Sequence, residues 1–208
     1  MSHSHAPGRA ESGSSRANDL VYPPREDSLL LLPFARVARG SSLLEVCAGS
    51  GVAALDAARS GARVVATDLN PWALAALRRR ARDEALSVDV VRTDLAAGLG
   101  RFDRILANPP YLPTPPELRD PDPWHNLALD GGPDGCRVTA RLVESLPDHL
   151  APSGSACVVF SSLQSPEGVA AIRERWSLVG PVPEVVARRA LEGERLEVWR
   201  FRRGAPNP

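Results

Sequence analysis

The apolar run Ile105-Leu106-Ala107 stops abruptly on Asn108-Pro109-Pro110-Tyr111. Three apolar residues without alternation, bounded by turn formers, read as the end of a strand buried on both faces. Two successive prolines offer no N–H to a ladder, so the strand must end there. Proline also drives the residue before it toward extended geometry, which restricts Asn108. A stiff turn at a strand's carboxyl end is where open α/β sheets place their ligands. The Asn108 side-chain oxygen and the Pro109 carbonyl are two acceptors for the hydrogens of a planar –NH2 group, and Tyr111 offers a flat face beside them. The competing structural role is a turn in which Asn108 caps the strand and Tyr111 is core.

The stretch upstream has the alternating pattern of a parallel sheet. Ser42-Leu43-Leu44-Glu45-Val46 reads as a buried strand running into Cys47-Ala48-Gly49-Ser50-Gly51, with an Ala-rich helix over 52–60 stopped by Gly61. Strand, glycine turn and helix present backbone N–H groups and a helix N-terminus to a ligand. The next strand, 63–67, ends on Asp68, 17 residues past Gly51, where a carboxylate can accept from ribose hydroxyls. Pro71 opens a helix running to about Glu84. Its run Arg78-Arg79-Arg80-Arg82 reads as a solvated face. A third strand, 88–91, leads to Thr93-Asp94-Leu95, where Asp94 is placed either to read an adenine amino group or to cap the turn.

Before these elements, Val21-Tyr22-Pro23-Pro24 is extended, and Asp27 or Ser28 is the expected N-cap of a helix reaching toward Gly40, with Leu29, Leu32 and Val37 on the sheet. Beyond the prolines, residues 112–133 hold six prolines and no periodic pattern, a loop long enough to be functional or mobile. His125 within it reads as an exposed loop histidine outside the catalytic set. Helices over 136–150 and 165–176 flank a strand at 155–160, and 184–189 with 195–201 form a hairpin about Glu192-Gly193. Residues 1–19 are expected to be a disordered tail, 20–203 one domain, and 204–208 a C-terminal tail.

Charge excludes some functions. The 25 basic residues, all arginine, balance 25 acidic ones, which argues against a nucleic-acid partner and removes lysine chemistry. Cys47, Cys136 and Cys157 are too far apart for a zinc motif, and His3 and His5 belong to the tail, so no metal is expected. No apolar run is long enough to span a membrane, and residues 1–18 lack a signal-peptide core; the expected location is cytoplasmic.

Several of these segments, in this order, resemble the class I S-adenosylmethionine-dependent methyltransferases of the HemK-like, glutamine-modifying kind, in the short form lacking an N-terminal helical domain. Residues 22–28 are similar to its Y-x-P-x-E-D-T segment, 44–51 to its L-E-V-G-x-G-x-G loop, and Gly131-Gly132 with Gly135 to its G-G-x-x-G. Thr67 to Pro71, Thr93 to Leu95 and Asn108 to Tyr111 complete the set. The resemblance implies a Rossmann-like, mostly parallel seven-stranded sheet with helices on both faces and an antiparallel last strand. It implies S-adenosylmethionine as cofactor. Ser28, Glu45, Cys47, Gly49 and Gly51 would line its methionine and ribose end, Asp68 would hold the ribose hydroxyls, and Asp94 and Leu95 would frame the adenine. Asn108, Pro109 and Tyr111 would form the catalytic corner, with Asn108 also touching the cofactor. The implied substrate is a glutamine of a translation release factor, and related short forms pair with a small activator subunit. Cys47 departs from the family's glycine, and its side chain either crowds the cofactor or points into the core. Two other functions share the motifs: methylation of a small molecule or nucleic-acid base, and cofactor binding without turnover.

Overall fold

A computed structural model describes residue 21 and residues 23–204. The expected N-terminal tail with His3 and His5, Tyr22, and residues 205–208 lie outside the described residues. The strands are β1 (Ser42–Val46), β2 (Arg63–Asp68), β3 (Val88–Arg92), β4 (Phe102–Ala107), β5 (Leu150–Ser161), β6 (Glu184–Leu191) and β7 (Glu194–Arg202). They form one sheet in the order β3-β2-β1-β4-β5-β7-β6. Pairing is parallel from β3 through β5, and β7 runs antiparallel to both β5 and β6. This is the expected mostly parallel sheet with an antiparallel last strand.

Helices cover both faces. Those on one side are α1 (Glu26–Ala35), α2 (Val52–Arg59) and α3 (Pro71–Asp83), over a core that includes Leu31, Leu43, Leu77 and Leu106. On the other, α5 (Arg137–His149) and α6 (Pro166–Ser177) enclose Leu44, Val46, Ile105, Ala107 and Leu142. Successive residues of β1 and β4 therefore enter different cores, which is why these strands show no polar alternation. Trp176 packs edge-on against Phe201, with ring centroids 5.1 Å apart, and closes the second core.

Helix α3 starts as its sequence indicates. Pro71 takes the first helical position, and the Asn70 side chain accepts from the N–H groups of Trp72 and Ala73. Helix α1 does not. It begins at Glu26 and stops at Ala35, short of Gly40, and Arg25 at its N-cap makes no side-chain cap. Asp27 lies inside the first turn, and the buried face is Asp27, Leu31 and Ala35. Leu29, expected on the sheet, is 45% exposed. Four consecutive leucines carry no phase, so periodicity alone misplaces the stripe.

The segment after the double proline also differs from expectation. It contains a 3-10 turn at Pro116–Leu118 and a helix α4 (Pro123–Leu129). The Asp122 side chain accepts from the Trp124 N–H, and Pro123 occupies the first turn, an N-terminal signal hidden among neighbouring prolines. Among the described residues, no helix is long and apolar enough to cross a membrane.

Candidate functional site

The strand order reverses between β1 and β4, and a cavity of about 950 Å3 opens at their carboxyl ends. It is lined by Ser28, Glu45, Cys47, Gly49, Asp68, Asp94, Leu95, Asn108, Pro109 and Tyr111, so all the sequence-predicted residues except Gly51 meet in one place. Gly51 sits behind the wall at the N-cap of α2 with φ +68°, and a Cβ there would run into the Leu77 side chain. Gly49 has φ +50° and faces open space, with nothing within 4 Å of the position a Cβ would take.

The glycine loop is held by backbone and by two charged side chains. The Ala48 N–H donates to the Thr67 carbonyl at 2.9 Å and the Gly51 N–H to the Ala48 carbonyl at 2.7 Å. Asp68 accepts from the Gly49 N–H through Oδ2 and from the Asn70 N–H through Oδ1, each at 2.8 Å. Arg80, read from sequence as part of a solvated face, instead donates to the Ser50 carbonyl at 2.7 Å. Arg79 and Arg82 are exposed, as expected.

Three ionisable groups line the floor. Glu45 is buried, and its Oε2 accepts from the Ala54 N–H at 2.7 Å. Burial pushes its carboxyl up to about 7, against the opposing pull of the Ala54 and Ala53 N–H groups, with the nearby Asp68 charge adding to the rise. Burial also raises Asp68, and the N–H groups of Asn70, Gly49 and Leu69 offset part of that. The Cys47 thiol is pushed well above its ordinary range by burial, then by the charges of Asp68, Asp94 and Glu45. Cys47 has φ +54°, the left-handed region that favours glycine. Its side chain packs against the core under α5 and α6 while still bordering the cavity.

At the far wall, Leu95 has φ +52° and its carbonyl accepts from the buried Thr67 hydroxyl at 2.8 Å. Asp94 does not act as a free cap: its Oδ2 pairs with Arg141 of α5 at 2.5 Å. Half-exposed at the rim, that carboxylate retains lone pairs for a further donor.

The proline corner closes the cavity. Asn108 Nδ2 donates to the Ser28 hydroxyl at 3.4 Å, while its Oδ1 is buried without a hydrogen-bond partner among the described residues. The Tyr111 hydroxyl donates to Asp27 Oδ2 at 3.3 Å. Behind the corner, Leu112 pairs with Asp130, and the Gly131 N–H donates to the Leu112 carbonyl at 2.9 Å. A Cβ on Gly131 would lie 2.8 Å from the Tyr111 backbone, so only glycine lets the returning chain approach so closely. Arg119 and Arg137 both pair with the buried Asp130, at 3.2 and 3.1 Å. His125, read from sequence as a loop histidine outside the catalytic set, borders the same cavity from α4 and pairs with Asp120 at 3.4 Å. Asp27 and Arg80 are the residues sequence reasoning missed. From sequence Asp27 reads as an N-cap candidate, not as a side chain facing the site.

Residues 26–115 match the family described as Methyltransferase small domain. The release factor glutamine methyltransferase of Deinococcus radiodurans is 37% identical over 209 residues, an alignment covering 89% of this chain and 74% of that protein. Methyltransferase HEMK2 of Mus musculus is 36% identical, over 87% of this chain and 89% of its own length. The chain belongs to the HemK-like glutamine methyltransferase family. Among solved structures, the E. cuniculi Mtq2–Trm112 complex superposes with a TM-score of 0.66 at 24% identity, covering 89% of this chain and 99% of that one. That complex is responsible for methylating the eRF1 translation termination factor.

As a member of this family the chain is an S-adenosylmethionine-dependent methyltransferase. The residues present fit that cofactor. The cavity has the volume of a drug-sized ligand site, Gly49 leaves open space along its floor, and carboxylates stand at the ends of β1, β2 and β3.

Two outcomes follow from the floor. The Glu45 carboxyl has a folded-state value near 7 against an ordinary 4.5, so folding takes up a proton between them. Its contribution to stability is full below about pH 4.5 and is lost as the pH rises through 7. Urea denaturation of Glu45→Gln without cofactor should therefore show a stability gain over wild type that grows by up to roughly 3 kcal/mol from pH 4.5 to pH 8. In Cys47→Gly, relief of about 1 kcal/mol of left-handed strain is matched by a similar cost in chain entropy, and the thiol's packing against the core is lost as well. Folding stability should fall by about 1 kcal/mol while S-adenosylmethionine binds more tightly by calorimetry. Unchanged affinity would mean the thiol lies wholly in the core.

Proposed function

We propose that this enzyme methylates the side-chain amide nitrogen of a protein glutamine, and that its substrate is a peptide chain release factor. The observation that carries the reading is the buried Asn108 Oδ1, an acceptor with no hydrogen-bond partner among the described residues, at the cavity wall beside Pro109. A buried acceptor left unmade costs about 1–3 kcal/mol, and a substrate N–H is the natural group to satisfy it. With the Pro109 carbonyl, Asn108 would hold both hydrogens of a planar –NH2 group, and the Tyr111 ring would bear on its flat face.

S-adenosylmethionine supplies an electrophilic methyl group on a sulfonium. Ser28, Glu45, Cys47, Gly49 and Gly51 would bound its methionine and ribose end, Asp68 its ribose hydroxyls, and Asp94 with Leu95 its adenine. The protein's part is position and charge. An amide nitrogen is a poor nucleophile, and two acceptors on its hydrogens stabilise the positive charge that grows there as a methyl arrives. Holding the nitrogen in near-attack geometry replaces an encounter in solution. One of the two hydrogens would then leave as a proton to solvent, which neutralises the nitrogen as the sulfur, having given up its methyl group, is left a neutral thioether. The kinship with release factor glutamine methyltransferase supports a glutamine in preference to a base or a small molecule.

Incubation with labelled S-adenosylmethionine and a release factor should label the glutamine of its Gly-Gly-Gln loop, located by mass spectrometry; label elsewhere or nowhere would end the assignment. Asn108→Ala should lower kcat on the order of 100-fold with its circular dichroism unchanged. The E. cuniculi relative was solved as a complex with Trm112, which supports a small activating subunit here too. The purified chain alone should then turn over more slowly than it does in extract; equal rates would dismiss the subunit.

A further inference from the structure

Asp27 borders the cavity without a role in the chemistry described so far. Resting on the reading that Asn108 grips the substrate nitrogen, we propose that Asp27 is a positioning residue that fixes which end of the Asn108 amide faces the substrate and holds the Tyr111 ring in place. The carboxylate is 4% exposed. Its Oδ1 accepts from the Ser28 N–H at 2.6 Å and the Ser28 hydroxyl at 3.3 Å. Its Oδ2 accepts from the Tyr111 hydroxyl at 3.3 Å. The Ser28 hydroxyl oxygen in turn accepts from Asn108 Nδ2 at 3.4 Å.

The order of these bonds sets a polarity. A hydroxyl carries one proton and two lone pairs. Once Ser28 gives its proton to Asp27, only lone pairs remain for Asn108, and only the NH2 end of the amide fits against them. The oxygen end is then turned to the site where it has no partner among the described residues. With the Ser28 proton directed at Asn108 instead, the amide would flip and present two hydrogens to a substrate that also presents hydrogens. A carboxylate is acceptor-only when ionised and so permits one arrangement, whereas an amide at the same position permits both. The separations of 3.3 and 3.4 Å are long, as hydrogen bonds in a substrate-free site often are.

Asp27→Asn keeps the shape and loses the polarity. In substrate-free protein labelled with nitrogen-15, the Asn108 side-chain NH2 pair, assigned by its absence in Asn108→Ser, should be one well-separated pair in wild type. It should split or average in Asp27→Asn and in Ser28→Ala, the second variant sparing the buried charge in case the first unfolds. With release factor as substrate, Asp27→Asn should lower kcat on the order of 10-fold while S-adenosylmethionine affinity by calorimetry stays within about threefold. Tyr111→Phe should add little to that loss in the double variant, because the Tyr111 hydroxyl acts through the bond to Asp27 that the first change already weakens. An unaltered Asn108 signal in both variants, fully additive losses, or a fall in cofactor affinity matching the fall in kcat would each overturn the proposal. Wild type that transfers no methyl to the release factor would instead overturn the substrate assignment, and the amide signal would still judge Asp27.

Discussion

Parallel pairing of β1 with β4, from Leu43 opposite Arg104 to Val46 opposite Ala107, determines where this protein can do chemistry. The next residue on each strand, Cys47 and Asn108, leaves the sheet beside the other. One opens a glycine loop and the other a double proline, so neither strand can continue. A slip of a single residue would exchange Leu43 with Leu44 and Ile105 with Leu106 between two different cores. Both cores oppose the slip, and the separation between loop and corner is held by apolar packing on two faces rather than by any polar contact within the site.

That packing tolerates an unusual density of locally unfavourable groups around the cavity. Cys47 and Leu95 are both left-handed without being glycine, Glu45 is a buried carboxyl, and Asn108 Oδ1 lacks a hydrogen-bond partner among the described residues. Each costs on the order of 1–3 kcal/mol, and such costs gather where a surrounding scaffold overdetermines the geometry. The fully buried Leu43, Leu44, Ile105 and Leu106 beneath them supply that scaffold. The Thr67 hydroxyl, bonded to the Leu95 carbonyl, shows how a buried polar group ties one strained loop to the next strand.

Much of this was legible because its signals are local. Strand, glycine turn, helix and a terminal carboxylate occupy consecutive residues from Ser42 to Asp68, and two prolines after an apolar run admit few structures. The hairpin about Glu192-Gly193 was readable for the same reason, with Gly193 at φ +74°. What escaped depends on residues distant in sequence. The partner of Asp94 is Arg141, 47 residues on, and Arg80 reaches Ser50 across 30. Asp27 meets Tyr111 across 84 residues. In α1, four leucines in a row erased the phase that would have shown Asp27 to be inward-facing. The helix α4 was obscured because prolines that break structure in general also start helices at their first turn.

The long segment beyond the corner is tied off at its base. Leu112 pairs with Asp130, the glycines behind them meet the Tyr111 backbone, and Arg119 and Arg137 fasten Asp130 from either side. Pro123 to Leu129, between those anchor points, border the same cavity, while the ties at the base make the chain depart and return at one fixed place. Variation in that span, Arg119 apart, therefore reshapes the mouth of the cleft more directly than it moves the grip on the reacting atom.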